Sequence, residues 1–158
     1  MVTVRLQWGF TYLAMLLGVA MMGATLALTG MAWQTVVQRE KEAELLFIGG
    51  EFRRAINKYY GASGLYPRQL ADLIRDPRSP GVRRYLRKLY LDPITGKFDW
   101  VLVRAPDGGI MGVFSPSEEA PLKTAGFALA DQDFEGKAHY SDWQFVVPPP
   151  NATTTPPK

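Results

Sequence analysis

The chain has 158 residues, a formal net charge of +3 and a sequence pI near 9.2. That length fits one small domain plus an anchor, and the mild basicity does not by itself imply a nucleic-acid partner. There is no cysteine, which excludes disulfides, thiol catalysis and cysteine metal sites.

No Lys, Arg, Asp or Glu interrupts the run from Leu6 to Gln38. It exceeds the roughly 20 apolar residues that a helix needs to cross a bilayer core of about 30 Å. Three readings of this start compete. A secretory signal peptide has an apolar core of about 7–15 residues and then a small-residue cleavage site; this run is longer, and its small residues are scattered. A plain uncleaved anchor requires only length and apolarity. The third reading is a prepilin signal, which alone accounts for Gly9-Phe10-Thr11 at the head of the run. Small residues recur at four-residue spacing, Ala14 with Gly18, Ala20 with Ala24 and Gly23 with Ala27. Such pairs let helix backbones approach closely in lipid, although Ala and Gly also serve as ordinary filler there.

Beyond the span, Trp33, Val36, Val37, Phe47, Ile48, Phe52, Ala55, Ile56 and Tyr59 recur mostly at three- and four-residue steps. Arg39, Glu40, Lys41, Glu42 and Glu44 fill much of the gap between them. This period predicts one helix from Phe10 to Tyr60, its later half turning an apolar stripe to a small domain. Gly49-Gly50 weakens it by about 1 kcal/mol per glycine against Ala and marks a place for a kink. Gly61-Ala62-Ser63-Gly64 ends it, because glycine supplies a left-handed cap.

Leu70, Leu73 and Ile74 suggest a short amphipathic turn or helix, and Tyr85, Leu86 and Leu89 another, closed by Asp92-Pro93 and a Thr95-Gly96 turn. Strands come late. Trp100–Arg104 alternates and is rich in Val and Leu, Ala105–Gly109 is a turn, and Ile110–Ser115 completes a hairpin. Short strands are also read at Phe127–Leu129 and Trp143–Val147. The tail from Pro148, rich in Pro and Thr, is expected to be disordered.

The leader, which carries only Arg5 ahead of Trp8-Gly9-Phe10-Thr11, resembles a prepilin signal of the type IV pilin and type II secretion pseudopilin superfamily. The resemblance implies a leader at 1–9, cut between Gly9 and Phe10 by a dedicated inner-membrane peptidase, and N-methylation of Phe10. It further implies a transmembrane helix segment at 10–33 and a periplasmic domain at 34–147 that includes the soluble half of the helix. The order of the later pieces looks like the major pseudopilin: Tyr66-Pro67 soon after the long helix, Tyr85 to Pro93 with its Asp-Pro turn, then a hairpin. At the fifth mature position most family members have Glu and this chain has Ala14, which leaves major or minor status open.

The fold implied is α+β and pilin-like, a long N-terminal helix packed on a small antiparallel sheet. The function implied is that of a non-enzymatic structural subunit of a periplasmic filament driving protein export by a type II secretion system. Its partners would be copies of itself, other pseudopilins, the prepilin peptidase, the inner-membrane assembly platform and membrane lipid. Its place would be the bacterial inner membrane, single-pass, with the N-terminus cytoplasmic and the C-terminal domain periplasmic. Arg5 before the span against Arg39 and Lys41 after it counts the other way, but long soluble domains translocate despite their charge. Two alternatives stay open: a minor type IV pilin in pilus assembly, adhesion or DNA uptake, and a single-pass anchored periplasmic ligand-binding domain.

Few residues suggest chemistry. His139 is the sole histidine and reads as a surface-loop residue, too close in sequence to Ser141 to judge a pairing. Asp131, Asp133 and Asp142 offer oxygen ligands to calcium. Major pseudopilins bind calcium in a loop near their C-terminus, but their ligand pattern is not reproduced here, and no other cofactor is expected.

Charge is distributed unevenly, with a balance of +5 over residues 68–88 and −5 over residues 105–147. A helical filament needs two different complementary patches on each subunit. Arg83, Arg84 and Arg87 are therefore read as subunit-contact residues. Only Tyr85 and Tyr90 interleave with these cations, so nucleic acid is not the expected partner.

Overall fold

The computed structural model describes residues 7–79 and 81–149, without the side chains at 7–10 and 23–32. The architecture is α+β, a long helix packed on a small three-stranded antiparallel sheet. Helix α1 spans Gln7–Ser63, 57 residues without a break. The chain divides into two units, Met1–Arg39 and Glu40–Lys158.

In the first unit, every described side chain from Thr11 to Met22 is exposed. Tyr12, Leu13, Met15, Leu16, Leu17 and Val19 are all at least half exposed. Among the described residues no helix is long and apolar enough to cross a membrane. The side chains at 23–32, which belong to the span expected at 10–33, lie outside them.

In the second unit, α1 buries Ile48, Phe52, Ala55, Ile56 and Tyr59 of the expected stripe, together with Leu45, which the expected stripe omits. Phe47 is exposed, because at 3.6 residues per turn it lies about 100° around the helix from Ile48, and Trp33 and Val36 are exposed as well. Gly64 ends the helix with φ 70°, and its N–H donates to the Tyr60 carbonyl at 2.6 Å. This is the left-handed cap that only glycine adopts without strain.

The sheet has the order β1-β2-β3, with β1 Val101–Arg104, β2 Ile110–Phe114 and β3 Phe145–Val146. Val101 pairs with Phe114 and Gly112 with Val146, and the register shifts between Val103 and Arg104 next to the hairpin turn. β3 is shorter than the expected Trp143–Val147. Gly112 is required where it stands, because a Cβ there would meet the Phe145 carbonyl at 2.7 Å and Val146 Cα at 2.8 Å.

An aromatic layer fills the space between helix and sheet. Phe52 meets Trp100 edge-on at 5.3 Å. Phe134 stacks on Trp143 at 5.6 Å and meets Phe145 edge-on at 5.1 Å. Rings supply much of the buried area in a domain this small, and their offset and T-shaped contacts add to it.

Several expected elements take other forms. The turn at 70–73 forms as a 3-10 helix. No helix forms around Tyr85–Leu89; the backbone N–H groups of Tyr85 and Leu86 instead both donate to the Leu73 carbonyl, at 2.8 and 2.9 Å. Those donors are spent tying this segment to the preceding turn, and a helix would have to release them. Phe127–Leu129 is not a strand. Leu129 opens a 3-10 helix to Phe134, while Phe127 packs edge-on against Trp143 at 5.3 Å. Pro148 and Pro149 carry no regular structure, and the rest of the tail lies outside the described residues.

Candidate interaction surfaces

Gly9 and Phe10 lie in the first turns of α1. Ala14, Gly18 and Ala20 are exposed on the same helix, and the side chain of Ala24 lies outside the described residues. A Cβ at Gly18 would meet nothing within 4 Å. Glycine costs about 1 kcal/mol in a helix against Ala, so no neighbour among the described residues accounts for its presence there.

The basic segment divides into one clamped cation and several exposed ones. Arg78 grips Asp76 from two sides, Nε to Oδ1 at 2.9 Å and an NH2 to Oδ2 at 3.0 Å. Its guanidinium stacks 3.6 Å from the Tyr59 ring centroid and also donates to Ser63 Oγ. Tyr85 OH donates to the same carboxyl at 3.1 Å. These hydrogen bonds, Arg78's first, outweigh burial and hold Asp76 down at about 2. Arg78 is raised in return by Asp76, and burial pushes the Tyr59 and Tyr66 hydroxyls up. The clamp joins the end of α1 to the loop that follows, leaving a shallow cleft of about 270 Å³ beside Ser63, Asp76 and Arg83.

Arg83, Arg84, Arg87 and Lys88 are exposed along the next loop. Beside it runs a groove of about 430 Å³ between α1, at Glu44 and Ile48, and the stretch from Lys88 to Phe98. Leu91 and Phe98 stand on it 45% and 70% exposed.

The three candidate calcium ligands are not gathered. Asp131 accepts from Arg53 NH1 at 2.8 Å, Asp142 accepts from the His139 backbone N–H at 3.2 Å, and Asp133 is exposed. Among the described residues no group of three or more acids or histidines stands ready to hold a metal ion. His139 is half-buried, its Nδ1 2.7 Å from the Glu118 carbonyl oxygen. That contact anchors a loop.

Besides Asp76, two more buried carboxyls escaped the sequence reading. Glu42, read as part of the charged gap, is only 3% exposed. Its Oε1 accepts from the backbone N–H of Leu122, from that of Lys123 at 3.2 Å and from Tyr140 OH at 2.9 Å. A signal was available: Glu42 precedes Leu45, itself outside the expected stripe, by three residues on the buried face. Asp92 is fully buried, accepting from Ser115 Oγ at 2.5 Å and from the Ile94 N–H at 2.9 Å. It locks the Asp-Pro turn to the end of β2.

Arg53 completes the frame. It lies between the Phe134 and Phe145 rings, at 5.9 and 5.4 Å, and donates to the Ala130 carbonyl at 2.7 Å. Glu42 and Arg53 thus hold the acidic C-terminal loops against one flank of α1. No family model, curated protein or solved structure matches the chain.

Proposed function

We propose that this chain is a pseudopilin-like structural subunit of a periplasmic filament that drives protein export by a type II secretion system. One observation carries the reading, the opposite burial of the two parts of α1. From Thr11 to Met22 every side chain is exposed although most are apolar, whereas between Leu45 and Tyr59 one stripe is buried in a domain. An apolar helix with no face turned to a core calls for lipid or sister helices around it. Ala14, Gly18, Ala20 and Ala24 would let those helices approach closely.

In this reading the inner-membrane peptidase cuts between Gly9 and Phe10, and Phe10 is N-methylated. The mature subunit waits in the inner membrane with its domain in the periplasm. The assembly platform then extracts it into a filament with copies of itself and other pseudopilins. With Ala14 it offers no carboxylate inside the membrane, where an unpaired charge is costly. Arg83, Arg84 and Arg87 supply the positive side of a subunit contact, and the chain contributes packing surfaces with no catalytic step.

Mass spectrometry of the mature N-terminus tests this. A start at methylated Phe10 is expected. An intact Met1 in cells that possess the peptidase overturns the filament reading and leaves a single-pass anchored periplasmic domain. The exposed loop cations favour a second reading, a minor pilin that takes up DNA. Duplex binding that weakens steeply with salt supports it, and no binding at low salt removes it.

A further inference from the structure

We propose that Ala128-Leu129-Ala130 of one copy of this chain seats in the groove between α1 and the Lys88–Phe98 stretch of the next copy. This rests on the filament reading and names the contact between its periplasmic domains. Leu129 is 87% exposed, more than any other large apolar side chain among the described residues, with exposed Ala128 and Ala130 on either side. It is also held stiffly, since Arg53 grips both the Ala130 carbonyl and the Asp131 carboxyl. An apolar knob on a fixed support loses little freedom on docking.

The groove matches it in shape and charge. Ile48, Leu89 and Pro93 line it, and Leu91 and Phe98 form an apolar rim. Lys88 lines it too, and Arg84, Arg87 and Lys97 are exposed nearby along the chain. On the lining, Glu44 is the opposing acid, and Asp92 is already bound to Ser115. Around the knob the sign is mostly reversed: Asp133 and Glu135 are exposed after it, against Lys137 further on and Lys123, which lies over the Phe127 ring. Complementary patches of this kind steer docking and fix its register.

The two surfaces leave α1 on opposite sides. Arg53 holds the knob, while Glu44 and Ile48 border the groove. At 3.6 residues per turn, Arg53 lies about 140° around the helix from Ile48 and about 180° from Glu44. A patch and its complement on opposite flanks cannot close into a two-fold dimer that uses both. They join head to tail, the heterologous arrangement from which open filaments grow.

The chain has no cysteine, so introduced thiols would be its only ones. Full-length chain carrying both Leu129→Cys and Phe98→Cys, oxidised in membranes, is expected to give a ladder of dimers, trimers and higher species. Each single variant should stay monomeric, and a mixture of the two should stop at dimers. Both positions are exposed, so neither substitution disturbs the core. Absence of a ladder, or self-linking of either single variant, overturns the contact. The mature N-terminus of the same samples separates the two readings. Processing at Phe10 without a ladder rejects this contact and leaves the filament, an intact Met1 without a ladder rejects both, and a ladder from chains that keep Met1 supports the contact and rejects the filament family.

Discussion

The Phe145 ring occupies the space where a side chain at Gly49 would stand: a Cβ built there would run into three of its ring carbons. β3 therefore docks onto the helix where Gly49 leaves room for the ring. Phe145 is fully buried and boxed in by Phe134, so it has nowhere to retreat.

Gly49→Ala is accordingly expected to destabilise the domain despite improving helix propensity. The propensity gain is about 1 kcal/mol, whereas overpacking a filled core costs about 1–3 kcal/mol. The net loss should be up to about 2 kcal/mol. Gly50→Ala is the matched control, because nothing lies within 4 Å of a Cβ there. It should stabilise by up to about 1 kcal/mol. Urea melts of the full chain in detergent micelles, followed by near-ultraviolet signal from the aromatic layer, would show midpoints moving in opposite directions. Equal shifts in one direction would refute the close-approach account.

That pair also shows what the sequence made legible. The Gly49-Gly50 pair reads as a weakness in the helix, because spacing along one strand of text cannot reveal what packs against it from 96 residues away. The long helix, its apolar stripe, the glycine cap and the hairpin were legible because each rests on local period or turn chemistry. The Tyr85–Leu89 segment was misread as helix for the opposite reason. Its apolar spacing suits a helical turn, but its amide donors are captured by Leu73, a contact no local pattern encodes. Glu42 was misread because its charge was weighed and its place on the stripe was not. The exposed cations were foreseen; the groove beside them, made by chain segments distant in sequence, was not.

Glu42 links α1 to loops about 80 and 98 residues further along the chain. Glu42→Ala leaves the Leu122 and Lys123 amides without that acceptor. Stranding partly buried donors costs about 1–3 kcal/mol. The loss should be local before it is global. Amide hydrogen exchange should accelerate at residues 120–126 while Leu45–Tyr59 of α1 stays protected. Glu42→Gln keeps a carbonyl acceptor and should lose less. Uniform acceleration through α1 would mean that Glu42 supports the core directly and does not merely tether the loop.

The Asp76–Arg78 clamp makes an acid-sensitive contribution to stability. Asp76 is held at about 2 in the folded chain against an ordinary value of 3.8. A carboxyl whose folded value is depressed stabilises the fold above its unfolded value, and that stabilisation fades as pH falls toward the folded value. The contribution is therefore complete above roughly pH 4 and is lost between about pH 4 and pH 2. Asp76→Asn should lower the urea midpoint at pH 7, and the gap between variant and parent should close across that window. The effect at neutral pH should be modest, about 1 kcal/mol, because Arg78 is partly exposed and solvent screens the pair. Arg78→Lys should fail to preserve the contribution, since an ammonium cannot grip both carboxyl oxygens and stack on Tyr59 at once. A gap that stays constant from pH 7 to pH 2 would show that the variant acts by packing alone, and that the clamp's charge does not hold the end of α1 to the following loop.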